Sequence, residues 1–334
     1  MSVDLTSKYL GLTLRNPVVA SPGPVTGDPD QWRRLDDAGV GAIVLPSLFE
    51  EEIESESWWV SDLLDEGRDT APEASDYLPE FEDYSIGPDR FLDLVTRAKE
   101  TVSVPVIASL NGTSRGGWVK YAARLVDAGA DAIELNVYDV ITDPSVTGLD
   151  VEDRVLDLVR SVRAEVPVPV AVKVGPWFSA LANMAVKLAD AGADGLVLFN
   201  RLYQPDIDLE VPSVRPRLML SVPGNVRQSV AWIGILSGQV PLSLAASGGV
   251  DSAEDVVKLI LAGADATMTT AALLRHGAGH VETLVTGLEA WLDQRGYSSV
   301  EQAKGSVSFS KAAEPEAYQR ANYYQTLHSW GPVR

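Results

Sequence analysis

A lysine interrupts an apolar, β-branched run in VPVAVKV (168–174), and a second strand-like run ends on two glycines in ASGGVDSAEDVVKLI (246–260). If buried, a lysine in such a strand must face an anion, or a group that gains from positive charge beside it; the alternative is a side chain that snorkels to solvent. A Gly-Gly turn running into a helix lets backbone N–H groups approach an anion, and a helix starting near Asp251 and Ser252 adds a favourable dipole. The next strand-like run leads into MTTAALLRHG, whose Thr269 and Thr270 and nearby amides can complete a phosphate cradle. A cradle and a cation together suggest a phosphorylated cofactor with an electron-rich ring, which fits a flavin.

Further polar residues end the other strand-like runs. They are Ala20, Ser21 and Gly23 after NPVVAS, Ser47 after IVLP, Ser109 and Asn111 after VPVIA, Asn136 after AIEL, Asn200 after LVLF, and Ser247, Gly248 and Gly249 after PLSLAA. Any one of them reads as a turn residue or helix cap. Their convergence at one end of many strands is the signal.

The elements that must position these residues show in a repeat: LDDAGVGAIVLP (35–46), LVDAGADAIELN (125–136), LADAGADGLVLFN (188–200) and LILAGADATMTT (259–270). Each is a leucine-rich helical pattern closed by Ala-Gly, where glycine takes the left-handed cap conformation, followed at once by a buried strand. NPVVAS, VPVIASL, VPVAVKV and PLSLAAS supply four more strands. Helices are predicted at 28–38, 89–101, 115–128, 151–164, 179–191, 223–238, 252–262 and 280–295. Eight alternating units predict a (β/α)8 TIM barrel of the α/β class in one domain spanning residues 1–334, with a doubly wound open sheet as the competing architecture. Chemistry then belongs at the C-terminal ends of the strands.

Two inserts follow strand ends and are expected to cover that mouth. Residues 47–88, after the second strand, are acidic and aromatic and read as a solvated helix packing its tryptophans. Residues 201–222, after the sixth, carry Arg201, Arg215 and Arg217, which could place a cation over the mouth, although solvated loop arginines are the plainer reading. WIGILSG (232–238) reads as a packing helix face.

The 334 residues have a net charge of −20, no cysteine and three histidines. Broad nucleic-acid or anionic-membrane binding is thereby disfavoured. Disulfides, cysteine nucleophiles, an iron–sulfur cluster of the chain's own and a metal cage are not expected. No apolar run approaches the roughly 20 residues that span a bilayer, and the N-terminus lacks a signal-peptide pattern, so a cytoplasmic protein is expected.

These residues resemble the dihydroorotate dehydrogenases and their FMN-containing barrel relatives over nearly the whole chain. LGLTLRNPVVASPG is similar to the family's opening, a short hairpin before the first strand. ADAIELNVYD resembles its Asn-bearing strand and catalytic loop, VAVKV the strand with the flavin-facing lysine, LVLFN a second Asn strand, and ASGGV with GADATMTTAAL the phosphate turns. PEAYQRANYYQTLHSW resembles a dihydroorotate dehydrogenase-like subgroup, and YQRANYYQTL reads as an amphipathic helix docking outside the barrel at a subunit contact.

The resemblance implies that Ala20 and Ser21 contact the flavin ring, that Lys173 stabilises negative charge on its pyrimidine edge, and that Asn136, Asn200 and Asn111 bond flavin or substrate. Gly248, Gly249 and Thr270 would surround the phosphate, with a homodimer as the assembly. Four positions depart from the family pattern: Pro46 replaces a lysine, Asp139 beside Tyr138 takes the place of the Cys or Ser base, Ile141 replaces the Asn that grips the substrate carboxylate, and Thr270-Ala271 replaces Gly-Thr. Asp139 is therefore either the base, with Tyr138 as the other proton carrier, or a residue that caps a turn or pairs with an arginine.

The expected activity is an FMN-dependent oxidoreductase acting on CH–CH bonds of a small, pyrimidine-like molecule, with a separate electron acceptor or donor. The alternatives are a flavin-binding barrel without turnover, and a non-redox lyase or isomerase using Glu134 or Asp139 beside Lys173.

Overall fold

A computed structural model of the chain describes residues 2–54, 88–114, 116–201, 204–216 and 219–329. All four Ala-Gly caps take the left-handed conformation: Gly39, Gly129, Gly192 and Gly263 have φ of 91°, 107°, 100° and 123°. The residue two places on explains the rest of the repeat. Asp131, Asp194 and Asp265 each donate their amide to the previous strand's carbonyl, at Val106, Val170 and Leu244, and accept that same residue's amide on a side-chain oxygen at 2.7, 2.9 and 2.7 Å. One carboxylate thus pins the start of each neighbouring strand. The first copy has Gly41 there, because a Cβ would run into the Asn16 carbonyl. Its second bond comes instead from Asn16, whose Oδ1 accepts from the Val18 amide at 2.9 Å.

The strands so pinned are β3 (Val18–Ala20), β4 (Ala42–Phe49), β5 (Val106–Asn111), β6 (Ala132–Asn136), β7 (Val170–Val174), β8 (Gly195–Leu198), β11 (Ser243–Ser247) and β12 (Ala266–Thr269). They close in that order into a parallel barrel, β12 returning to β3. The predicted α/β barrel is therefore the observed architecture. Each predicted helix is present within a few residues, although the one expected over 115–128 opens as a 3₁₀ turn at Gly117–Lys120 before the α-helix Tyr121–Asp127.

Side chains alternate as a strand requires. Val19, Val44, Ile107, Ala132, Ala171, Val197, Ala245 and Met268 fill the barrel, while Val170, Val172 and Val174 join the helical layer. A hairpin of β1 (Ser7–Tyr9) and β2 (Leu12–Leu14) plugs the N-terminal end: Tyr9, Leu10 and Leu14 pack on the interior set, and the Leu10 amide donates to Ser243 Oγ at 3.1 Å. The polar strand tips stand at the opposite end of the barrel from this hairpin.

Tyr9 is fully buried with no partner for its hydroxyl among the described residues. Burial, reinforced by the Glu134 and Asp265 carboxylates, holds its pKa well above the ordinary tyrosine value. The fold therefore binds this proton more tightly than the unfolded chain does. The associated stability is complete below about pH 10 and is lost as pH climbs towards the folded value. Tyr9→Phe is expected to flatten that alkaline loss while changing neutral-pH stability little, which urea midpoints measured against pH will read. An unchanged alkaline slope would contradict it.

The second insert forms a hairpin, β9 (Pro205–Asp208) with β10 (Ser213–Pro216), which the sequence did not announce. Three further short helices, Pro24–Gly27, Ala271–His276 and Val300–Ala303, were also not expected. WIGILSG packs as read, with Ile233 and Leu236 buried. β4 runs through Phe49 and residues 50–54 are helical, so the strand extends into the first insert, while its tryptophans fall outside the described residues. The expected C-terminal helix forms but does not pack on this chain's own barrel; the subunit contact expected of it concerns a second copy. Arg320–Ser329 is helical but buries no residue, leaving Tyr323, Tyr324 and Leu327 exposed. Among the described residues no helix is long and apolar enough to cross a membrane.

Candidate active site

Strand parity places Lys173 inside. It lies two residues beyond the interior Ala171 and opposite Asn136 in the β6–β7 register, and it is buried. Its Nζ lies 3.5 Å from Oε1 of Glu134, two residues below Asn136 on β6 and fully buried. Glu134 Oε2 has no partner among the described residues. The lysine is thus a paired interior cation at the mouth and not a solvent-seeking one.

Above it a hydrogen-bonded line crosses the barrel. The Asn200 amide donates to Asn136 Oδ1 over the end of β7, and Asn136 Nδ2 donates to Ser47 Oγ at 3.4 Å. Ser47 and Ser109 hydroxyls then share a 2.8 Å bond. Asn111, buried at the tip of β5, is in register with Asn136. On the opposite side Ala20 and Ser21 end β3, both buried, and the Ser21 amide donates to the Thr269 carbonyl at 3.0 Å. Gly23 is tight: a Cβ there would strike the Thr270 side chain.

The turns after β11 and β12 lie side by side because Ser247 and Met268 are register partners. Gly248 and Gly249 have φ of 96° and 84°, and their amides donate to no acceptor among the described residues. A Cβ on Gly249 would come within 2.6 Å of the Val226 nitrogen, whereas one on Gly248 would point into open space. The neighbouring helix Ala271–His276 starts at Thr270 without a side-chain cap. Arg275 stands nearby, 2.9 Å from Asp251.

Two of the expected contributions to this cradle are spent elsewhere. The helix Ala253–Ala262 already has a carboxylate at its N-terminus: Asp255 Oδ2 accepts the Asp251 and Ser252 amides at 3.3 and 3.2 Å, in a capping box with Ser252. That helix dipole is therefore satisfied internally. Thr269 faces outward, its hydroxyl donating to the Val250 carbonyl at 2.8 Å, and Thr270 Oγ1 donates to the Ser21 carbonyl at 3.1 Å. The two threonines tie the turns of β11, β12 and β3 together.

The third wall is a cavity of about 440 Å³ beside Asn200, between the loop after β6 and the loop after β7. Tyr138 and Asp139 line it. Asp139 is exposed and pairs with Arg154 Nη1 at 3.4 Å, a contact that leaves its carboxylate open to the cavity. Trp177 and Phe178, which follow Gly175-Pro176 at the end of β7, line the cavity and were missed in the sequence. An aromatic pair immediately after a barrel strand is the signal that marks them. Glu50 was also missed. Its carboxylate accepts the amide and hydroxyl of Thr113, both at 3.2 Å, and of Ser114, at 3.2 and 3.0 Å, locking the loop after Asn111. Arg215 pairs with Asp208 across its own hairpin at 3.0 Å and Arg201 donates to Ser221 Oγ at 2.8 Å, while Arg217 lies outside the described residues.

Comparison with known proteins gives the same reading as the geometry. The family model described as dihydroorotate dehydrogenase matches residues 84–292. A protein of Aeropyrum pernix assigned as dihydroorotate dehydrogenase A (fumarate) is 28% identical over 312 residues, covering 90% of this chain and 97% of that protein. The catalytic subunits of dihydroorotate dehydrogenase B (NAD(+)) from Thermoplasma volcanium and Pyrococcus furiosus are 25% and 26% identical, covering 90% and 91% of this chain and 98% of each relative. With more than half of its length matched by that model and an eight-stranded parallel barrel as its fold, the chain belongs to the dihydroorotate dehydrogenase family.

Proposed function

We infer that the chain is an FMN-dependent oxidoreductase that interconverts a CH–CH pair and a C=C bond in a small ring compound. One observation carries the reading: the buried Lys173, the Asn200–Asn136 bridge and the open glycine amides after β11 converge at one end of the barrel. The residues fit FMN. The unengaged Gly248 and Gly249 amides and the uncapped start of Ala271–His276 suit a phosphate, with Ser247 beside them. Lys173 would hold positive charge beside the ring's pyrimidine edge, and Ser21 and Gly23 would form its floor; the Ala20 side chain, against expectation, packs with Val18 in the helical layer and offers the ring only its backbone. Asn111, Asn136 and Asn200 would orient ring and substrate. FMN, when bound, supplies hydride transfer.

The second hydrogen moves as a proton, and Asp139 and Tyr138, on the cavity wall, are the groups we assign to it. The relatives' names carry two acceptors, fumarate and NAD(+), and the second describes a catalytic subunit. Without a cysteine the chain builds no iron–sulfur relay, so we assign electron exchange to a separate molecule or subunit. Exposed Tyr323, Tyr324 and Leu327 support self-association through the terminal helix.

The test is an anaerobic absorption spectrum of FMN-loaded protein before and after adding dihydroorotate or dihydrouracil. Bleaching of the visible flavin band by either is expected. A protein that takes up no FMN, or whose flavin stays oxidised with both, would contradict the reading.

A further inference from the structure

The cavity beside Asn200 says what kind of molecule reaches the flavin site, an inference that rests on the function proposed above. Its wall is largely apolar, and several of its side chains are left uncovered by the protein: Val140 is 53% exposed, Ile141 38% and Trp177 69%. Val155 and Phe178 continue the same surface. Large apolar side chains gathered around one concavity gain from an apolar occupant.

The charged members of the wall are already paired. Arg154 meets Asp139 at 3.4 Å, and Glu152 meets Lys187 at 2.7 Å. Thr113 gives both its amide and its hydroxyl to the Glu50 carboxylate. Outside the lining, Lys173 is paired with Glu134, and Arg201 donates to the Ser221 hydroxyl. Of the charged side chains that line the cavity, Asp139, Glu152 and Arg154, two are negative and one positive. A carboxylate entering here would be desolvated against a net negative wall with no uncommitted cation among the described lining residues, an arrangement that costs binding free energy. A neutral ring meets no such penalty, and its carbonyl or amide edge can bond to Asn200.

We propose that this site takes an uncharged ring compound carrying a carbonyl or amide edge and an apolar substituent, the substituent packing on Trp177, Ile141 and Val140. Asp139 acts in this selection by occupying Arg154, the one cation of the wall that would otherwise attract an anionic substrate.

The experiment uses a matched pair differing in one charge, orotate and its methyl ester, titrated into FMN-loaded protein. Binding is read from the flavin band and from quenching of tryptophan fluorescence. The ester is expected to bind about tenfold more tightly than orotate. In Asp139→Asn, which frees Arg154, orotate affinity is expected to rise about tenfold while the ester changes little. Orotate binding more tightly than the ester in the unaltered protein would overturn the proposal. So would a failure of both ligands to move either signal, or an Asp139→Asn variant whose orotate affinity is unchanged. A failure of the flavin reading itself would show earlier, as a protein that takes up no FMN, and the tryptophan signal would still rank the two ligands.

Discussion

Lys173→Met is expected to lower turnover roughly a hundred- to thousand-fold, the usual cost of removing a preorganised charge from where negative charge develops. The lysine is buried at the barrel mouth, so solvent does not replace its charge once it is gone. Its removal also leaves Glu134, fully buried, without its cation, and breaking one side of a buried pair costs about 3–5 kcal/mol of stability. The two effects are separable. In Lys173→Met with Glu134→Gln the uncompensated charge is gone, so the melting temperature should recover towards that of the unaltered protein while turnover stays low. A double variant that regains turnover along with stability would show that the lysine serves the fold and not the chemistry. If Lys173 stands beside the flavin as proposed, the reduction potential offers a second readout: it should fall in Lys173→Met and fall less in the double variant, where a negative charge is removed with the cation.

Trp118→Ala is expected to destabilise the protein by about 3–5 kcal/mol, among the largest costs of a single truncation in its core. Trp118 is fully buried, its ring lies against Gly112 and Gly116, and its indole donates to the Ser114 carbonyl at 3.1 Å. It props the loop that runs from Asn111 to the helix start, a loop that Glu50 locks from the other side. Loss of the ring should therefore loosen one wall of the mouth as well as the core, and FMN affinity should fall with stability. Urea denaturation and FMN titration of the same preparation will check both. A loss below about 1 kcal/mol would mean that the loop holds its place without the tryptophan.

The barrel was legible because its physics is local. Glycine at the end of a helical pattern has a conformational cause, and four such glycines at similar spacing count out the units; the aspartates two places on turn out to stitch each unit to the strand before it. Strand parity was enough to turn Lys173 inward. What stayed hidden depends on pairs far apart in the chain. The Ser47–Ser109 bond, the capture of Thr113 by Glu50 and the Asp139–Arg154 pair span 62, 63 and 15 residues, and no local pattern announces them. Ser252 and Asp255 are a contrary case. Their spacing is a capping signature in plain sight, and it shows that the helix dipole assigned to the phosphate is consumed by a side chain. The β9–β10 hairpin was missed because a proline stands at each outer end and its short alternation, with Ile207 and Val214 exposed, marks no buried face. The terminal helix was read as docked from its tyrosines and leucine, but those residues find no surface on this chain.

The measurement that tests the account most directly is a fluorescence titration of flavin-free protein with FMN and, separately, with riboflavin. If the glycine amides after β11 and the uncapped start of Ala271–His276 form the phosphate site, FMN should bind one per chain and riboflavin at least about a hundredfold more weakly, since only FMN reaches that cradle. Equal affinity for the two, or no binding of FMN, would contradict the assignment of this barrel mouth as a flavin mononucleotide site.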